Sequence, residues 1–310
     1  MRDLDSIASA LPWISRDFNK ISQQNWIVSA FNLTSAAFIP FWAQTADVFG
    51  RGVAIGGATI VMLVGSALCT GAPTSAFAVL LLGRALQGVA ASGLNVLVRT
   101  ILADGLTLQE SAKNWAIFVF VGGTAYAIGP LVGGKCFEQL SGVAHLLTSG
   151  IGYLTQVNWR WCFGINLPIA VVALLVIFIF LRKHLVGPQP IPELGESADT
   201  GRRTTFVARV KTIDFGGQVL FILGLGLIIL GLTWGGATYP WDSAAVIVSL
   251  ILGVFFMIAF GFWERQIAPG RYLSKMFPTQ KAMIPWKLIT TRDMGLLFYT
   301  ECGTGMGMFS

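Results

Sequence analysis

The run from Ala76 to Ala103 is 28 residues long and mostly Leu, Val, Ala and Gly. A helix needs about 20 such residues to cross a bilayer. Similar runs recur at Trp26 to Phe49, Val53 to Gly71, Trp115 to Gly134, Trp161 to Leu181, Phe215 to Gly236 and Ala244 to Trp263, and another begins near Met294. Lipid offers no hydrogen bonds to a bare backbone, so runs of this kind satisfy their own N–H and C=O groups as helices. The expected fold is all-α, a polytopic transmembrane helical bundle with about seven complete spans and partial first and last helices. Composition agrees: 54% of residues are apolar, 12% are charged, and the mean hydropathy is +0.69.

The net charge of +6 resembles a nucleic-acid signal until it is mapped onto the loops. Counted on alternate loops, fourteen Lys and Arg between Arg51 and Arg292 fall on one side, and only Arg16, Lys20, Lys135 and Arg160 on the other. That asymmetry makes the loop carrying Arg51 cytosolic. The basic charge therefore orients the chain in a membrane, and no nucleic-acid partner is expected. Cys69, Cys136, Cys162 and Cys302 show no paired spacing, and His145 and His184 lie in loops, so no metal site is read. No phosphate-cradling glycine loop occurs, which disfavours ATP-driven work. Gly224 and Gly226 sit inside an apolar span and read as packing glycines.

The expected organisation is an N-terminal bundle over 1–183, a cytosolic linker over 184–214, a central hairpin over 215–263, a second cytosolic linker over 264–293, and the start of a further bundle at 294–310. The first linker is rich in Pro, Gly and charge and is expected to be poorly ordered. Tyr239-Pro240-Trp241 reads as a tight external turn in the hairpin. Two features fit less simply. Ile7 to Ile14 is too short to span, and Leu140 to Gln156 is a weakly apolar insert rich in Gly, Ser and Thr that reads from its residues as an ordinary external loop.

Within the long run, Arg84 lies about 12 Å from one end at 1.5 Å per residue. A charge in mid-bilayer costs about 2.5–3.5 kcal/mol on insertion scales, so such residues face a partner or a cavity and tend to carry function. A structural ion pair or a snorkelling side chain is the plainer reading. At 100° per residue Arg84, Gln87, Gly88, Ala91 and Asn95 share one stripe. Packing explains Gly88 and Ala91, but explains Arg84, Gln87 and Asn95 together poorly; the stripe is read as a cavity wall. On the next segment Gly122, Gly129 and Gly133 align, and Pro130 leaves the carbonyl of Tyr126 without a helical partner. Residue mechanics alone leave two readings open there, a tight bent helix pair or a seam between moving helices. Between two spans, Gly50 and Gly52 permit a sharp reversal, with Asp47 and Arg51 placed to pair or to meet a neighbouring helix end.

Taken together, these pieces resemble the major facilitator superfamily, and within it the fourteen-helix drug:proton antiporter branch common in fungi. Ala43 to Gly52 resembles its loop signature G-x-x-x-D-x-x-G-R-[KR], and Arg84-Ala85-Leu86-Gln87-Gly88 is similar to the R-x-x-Q-G motif of its fourth helix. Gly129-Pro130-Leu131-Val132-Gly133-Gly134 resembles the G-P-x-x-G-G antiporter motif of the fifth. Trp159-Arg160-Trp161-Cys162-Phe163-Gly164-Ile165-Asn166-Leu167-Pro168 is similar to the W-R-W-x-F-x-I-N-L-P start of helix six. Leu232 to Gly236 with Tyr239 to Trp241 resembles the added central hairpin. There are departures: Ala43, Val48 and Gly52 replace a glycine and two basic residues of the loop signature, which weakens it as a charge-locked gate. The first-helix motif is shortened by two residues at Leu4 to Pro12, and the insert at 140–156 is expected to be translated intron, in a gene model wrong at both ends.

The resemblance implies a secondary transporter working by alternating access, exporting drugs, toxins or secondary metabolites against protons, with no cofactor and no enzymatic step. It implies Arg84, Gln87 and Asn95 as proton-coupling or cavity groups, Gly122, Gly129, Pro130, Gly133 and Gly134 as the helix-five bend and seal, and Asp47, Gly50 and Arg51 as a cytosolic gate. Trp159, Arg160, Trp161, Asn166 and Pro168 form the helix-six start. The implied partners are an amphipathic small molecule, protons and the lipid bilayer, with the chain a monomer in the plasma membrane or, as the alternative, the vacuolar membrane. A siderophore-iron:proton symporter of the same superfamily and a non-transporting fragment are the rival readings.

Overall fold

A computed structural model describes residues 14–104, 108–133, 159–181, 206–236 and 238–268, together with isolated positions beside them and in 270–300. Among the described residues all regular structure is helical apart from one isolated bridge, Gly235 with Tyr239. The contacts divide the chain into Met1–Pro188 and Gln189–Ser310, each described by itself below. The insert at 140–156, Gly134, and the first-helix motif at 4–10 lie outside the described residues.

In the first unit the helices are α1 (Asn25–Ala37), α2 (Ile39–Phe49), α3 (Arg51–Gly71), α4 (Phe77–Ala103), α5 (Leu108–Gly133), α6 (Trp161–Gly164) and α7 (Asn166–Val176), the last continued by a π-turn over Ile177–Leu181. Three single helices here are long and apolar enough to cross a membrane, Arg51–Gly71, Phe77–Ala103 and Trp161–Phe180. The span expected over Trp26 to Phe49 is bent: two helices meet there at 44° and together are long and apolar enough to cross. The cause is Pro40, the second residue of α2. It has no N–H for the carbonyl of Ala36, so the ladder breaks at Phe38 and the axis turns.

Small residues let α1 to α4 approach closely. A side chain on Gly65 would press against the α4 backbone at Gln87 (2.9 Å), and one on Gly83 would meet the carbonyl of Gly65 (2.9 Å). Gly93 lies under the indole of Trp42. Side chains then bridge the backbones that have come together. The Thr34 hydroxyl donates to Ala85 O (2.9 Å), and Trp42 Nε1 donates to Val89 O (2.7 Å). In an apolar solvent, close packing and bonds of this kind hold helices together, because hydrophobic burial no longer drives them.

The second unit contributes a short helix α8 (Phe206–Val210) and the hairpin α9 (Phe215–Trp234) and α10 (Ala244–Ile267). The 184–214 linker, expected to be poorly ordered, therefore holds a turn of helix at α8. Both hairpin helices pass the length and hydropathy test for a span. Asp214 caps α9 by accepting from Gly217 N (2.9 Å), and Ser243 caps α10 by accepting from Val246 N (3.4 Å). The helices interlock where Gly224 meets Met257 and Gly253 meets Ile228. Gly226 has no described atom within 4 Å of an added side chain, so only one of the two glycines expected to pack is in tight contact. The turn reverses at Gly236 (φ 75°), with exposed Tyr239 and Trp241 beside it.

Two glycine substitutions separate close packing from mere sequence pattern. A side chain on Gly88 would overlap the carbonyl of Phe31 and the hydroxyl of Thr34, whereas one on Gly122 meets no described atom within 4 Å. Gly88→Val is expected to destabilise the chain by about 1–3 kcal/mol, since the obstacle is backbone. Gly122→Ala is expected to stay within about 0.5 kcal/mol. Thermal unfolding of the purified chain in detergent measures both.

Candidate functional site

Arg84 faces inward from α4 and is fully buried. Its Nε donates to the carbonyl of Ile27 on α1 (3.1 Å), and its Nη1 donates to Gln87 Oε1, one turn along its own helix (2.8 Å). Gln87 in turn donates from Nε2 to the Ser66 hydroxyl on α3 (2.9 Å). The guanidinium lies over the ring of Phe31 at 4.5 Å and that of Phe163 at 5.8 Å from the centroids. Four helices thus converge on one cation: α1 gives a carbonyl and a ring, α3 a hydroxyl, α4 an amide, and α6 a second ring. Hydrogen bonds to a charged group contribute roughly 1.5–3 kcal/mol each, and a desolvated cation–π contact about 2. Those terms are of the size needed to offset a guanidinium's removal from water.

One side of this cluster is closed by an apolar core of Ile14, Phe18, Ile27, Cys69, Ala72, Leu80, Trp159 and Phe163. The helix-six start takes part through its first two residues. Trp159 is buried and donates from Nε1 to Asp17 Oδ2 (2.8 Å), and Arg160 donates from Nη2 to Ala72 O (2.8 Å) while lying over the Trp159 ring. Trp161 and Pro168 are exposed and Asn166 half-buried.

The stripe read along α4 divides. Arg84, Gln87, Gly88 and Ala91 are buried between helices, with Gly88 serving the close approach of α1. Asn95 is exposed and donates from Nδ2 to Ala91 O of its own helix (3.0 Å), so it does not join the Arg84 cluster. Gly122 lies in α5 away from close contact with the described atoms. Gly129, Pro130 and Gly133 belong to the same continuous helix, and Gly134 falls beyond the described residues.

A second polar group forms where α2, α3 and α4 end or begin. Gly50 ends α2 with φ 93°, a left-handed conformation that favours glycine. Gly52, expected to share in the reversal, is an ordinary helical residue of α3. Arg51 pairs through Nη1 with Asp47 Oδ1 (2.5 Å) and through Nε with Asp104 Oδ2 (3.1 Å). Asp104 is the residue that closes α4, so one buried guanidinium ties together the ends of three helices. A cation beside the carbonyl end of α4 also suits the helix dipole. The expected Asp47–Arg51 contact is present, but Asp104 was not read as its partner, although an acid directly after a long apolar helix is a signal for such a contact. Ser66, Cys69, Phe31 and Phe163 were likewise not read as neighbours of Arg84 and Gln87.

These two clusters, on a bundle of apolar helices, can be set beside known proteins. The family model described as Major Facilitator Superfamily matches residues 3–240. "Efflux pump dotC" of Dothistroma septosporum is 34% identical over 266 residues, covering 86% of this chain and 40% of that protein. "MFS-type transporter ucsD" of an Acremonium species is 34% identical over 269 residues, 87% of this chain and 40% of that one. "MFS-type efflux pump LUC4" of a Fusarium species is 34% identical over 307 residues, 99% of this chain and 47% of that one. The chain thus spans less than half the length of the curated relatives it matches. Those names are of transporters and not of enzymes. With a family match over most of its length and an apolar helical bundle, the chain belongs to the Major Facilitator Superfamily, a family of multi-pass membrane proteins.

Proposed function

We propose that this chain forms part of a proton-coupled exporter of amphipathic small molecules such as drugs, toxins or secondary metabolites, working by alternating access. The observation that carries the reading is the buried Arg84, bonded at once to α1 and to Gln87 and covered by two aromatic rings. The names of the relatives support the direction of transport. An arginine does not release its proton at physiological pH. Its role is therefore electrostatic: it lowers the proton affinity of any carboxyl that comes close, and it loses that hold when the helices part. Because Arg84 holds α1 to α4 and Gln87 holds α4 to α3, its bonds keep these helices together as one body while that body rocks. Asn95, exposed farther along α4, is assigned to the path of the substrate. The segment Gly129-Pro130 to Gly133-Gly134 is assigned to the bend and seal of the fifth helix. The operating membrane is the plasma membrane, with the vacuolar membrane as the alternative.

The test is accumulation of fluorescent amphipathic dyes in cells expressing the chain from its own genomic locus. Expression is expected to lower dye retention, a protonophore to abolish the effect, and Arg84→Ala to slow proton-dependent efflux at least tenfold, about 1.4 kcal/mol in the barrier. Undiminished efflux in that variant contradicts the assignment of Arg84. Unchanged dye retention, with ferric-siderophore uptake instead, contradicts export.

The cluster at Arg51 is assigned as a gate that stabilises one state of the cycle. Asp104 is 27% exposed and Asp47 62%, so water screens the first contact less. Asp104→Asn is expected to cost about 1 kcal/mol more than Asp47→Asn in thermal unfolding. The reverse order contradicts the ranking of the two contacts.

A further inference from the structure

The hairpin of the second unit concentrates its acid groups at one end. Asp214, just before α9, and Glu264, in the last turn of α10, are both fully buried. Glu264 was expected in the linker after a span ending at Trp263; the helix in fact continues through Ile267 and carries it inward. Asp214 accepts from Gly217 N–H at 2.9 Å and from Trp263 Nε1–H at 3.0 and 3.2 Å. Glu264 Oε1 accepts from the N–H of Met283 at 3.1 Å, a residue of the 264–293 segment. The N–H of Ile284 also lies close to this carboxyl, and Oε2 is buried with no hydrogen-bond partner among the described residues. The two carboxyl groups flank Gly217, where a side chain would overlap Asp214 Oδ2 and lie 3.3 Å from Glu264 Oε1.

A buried carboxylate oxygen that faces no donor is costly as an anion and ordinary as an O–H. Two carboxyls at such separation also repel when both are ionised. Asp214 takes its donors from within the helix pair, and Glu264 takes its own from Met283 and Ile284 outside it. Burial pushes the Asp214 carboxyl above its ordinary range, and N–H groups of Gly217, Trp263 and Gly216 draw it partway back. Asp214 is therefore the better place for one negative charge, and Glu264 Oε2 the better place for a proton. The charged residues nearest in sequence are Arg209 and Lys211 ahead of α9, Arg265 on α10, and Lys281 and Lys287 on either side of the uncharged Ala282 to Ile284. Both described ion pairs in the chain belong to Arg51, so neither carboxyl is in one among the described residues.

We propose that Asp214 and Glu264 hold a single exchangeable proton between them, and that this proton keeps the segment at Met283 fastened to the end of α10. With the proton in place the site carries one charge and the clasp is closed. As the pH rises and the proton leaves, a second charge enters a buried site beside the first, opposed by burial more than the N–H groups of residues 283 and 284 can offset. Water is then admitted by detaching residues 282–284, which among the described residues meet Glu264 from outside the helix pair.

The experiment uses the full chain in lipid nanodiscs, with infrared spectra and limited trypsin digestion recorded across pH. The wild-type-minus-Glu264→Gln difference spectrum is expected to show a protonated-carboxyl band at neutral pH that fades as the pH rises. Cleavage at Lys281 and Lys287, which lie on either side of Met283 in the sequence, should rise at least fivefold over the same interval, after correction with a reference peptide. Glu264→Gln keeps an acceptor for Met283 and cannot ionise, so its cleavage should stay at the low-pH level throughout. Asp214→Asn removes the like charge and should move the fading of the band to lower pH. Absence of the band at neutral pH, cleavage that does not follow it, a Glu264→Gln variant that opens like wild type, or an unshifted band in Asp214→Asn overturns the proposal.

Discussion

A guanidinium has to be kept charged and dry at the level of the lipid chains, and the arrangement of the first four helices follows from how that is done. Arg84 cannot shed its charge, so the protein must surround it with acceptors and polarisable faces. A backbone carbonyl inside a regular helix already accepts from four residues ahead, yet Nε reaches the second lone pair of one at Ile27. Gln87, one turn away, accepts from Nη1 and passes the interaction on to Ser66. The rings of Phe31 and Phe163 cover the charge with quadrupoles in place of water.

Reaching those partners requires helices closer together than large side chains allow. The glycines at 65, 83, 88 and 93 supply that approach, and each lies against a neighbouring backbone, thiol or ring. Close approach and polar contact therefore depend on one another. Gly88 against Phe31 lets α1 bring the Ile27 carbonyl to Arg84, and the Arg84 bonds in turn give Gln87 Oε1 a charged donor. The far ends of α3 and α4, with the end of α2, use a different chemistry, a guanidinium at Arg51 shared by two carboxylates nearer to water.

The helices were legible because lipid imposes one solution on a long apolar run, and the limits of α4 fall within a residue of those read from the sequence. Arg84 and Gln87 were legible as polar groups out of place. Their partners were not: Ile27 contributes a main-chain oxygen, which no residue type announces, and Phe163 lies 79 positions away. Asn95 shows where helical phase falls short. It shares the angular position of Arg84 but lies about 16 Å along the axis, where it is exposed. Pro40 was visible in the sequence, yet the hydropathy of the run hid the break it causes. Glu264 was assigned to a linker because charge marked the end of the span, although one more turn of helix turns it inward.

Arg84 is enclosed by Ile27, Gln87 and two rings, and nitrogen NMR of the arginine side chains in lipid nanodiscs observes that enclosure directly. With the Arg84 signal assigned by its loss in Arg84→Lys, the account predicts a guanidinium whose N–H groups exchange slowly with water and whose Nη resonances shift in Gln87→Leu. A signal exchanging as fast as that of exposed Arg99, and indifferent to Gln87, would contradict it.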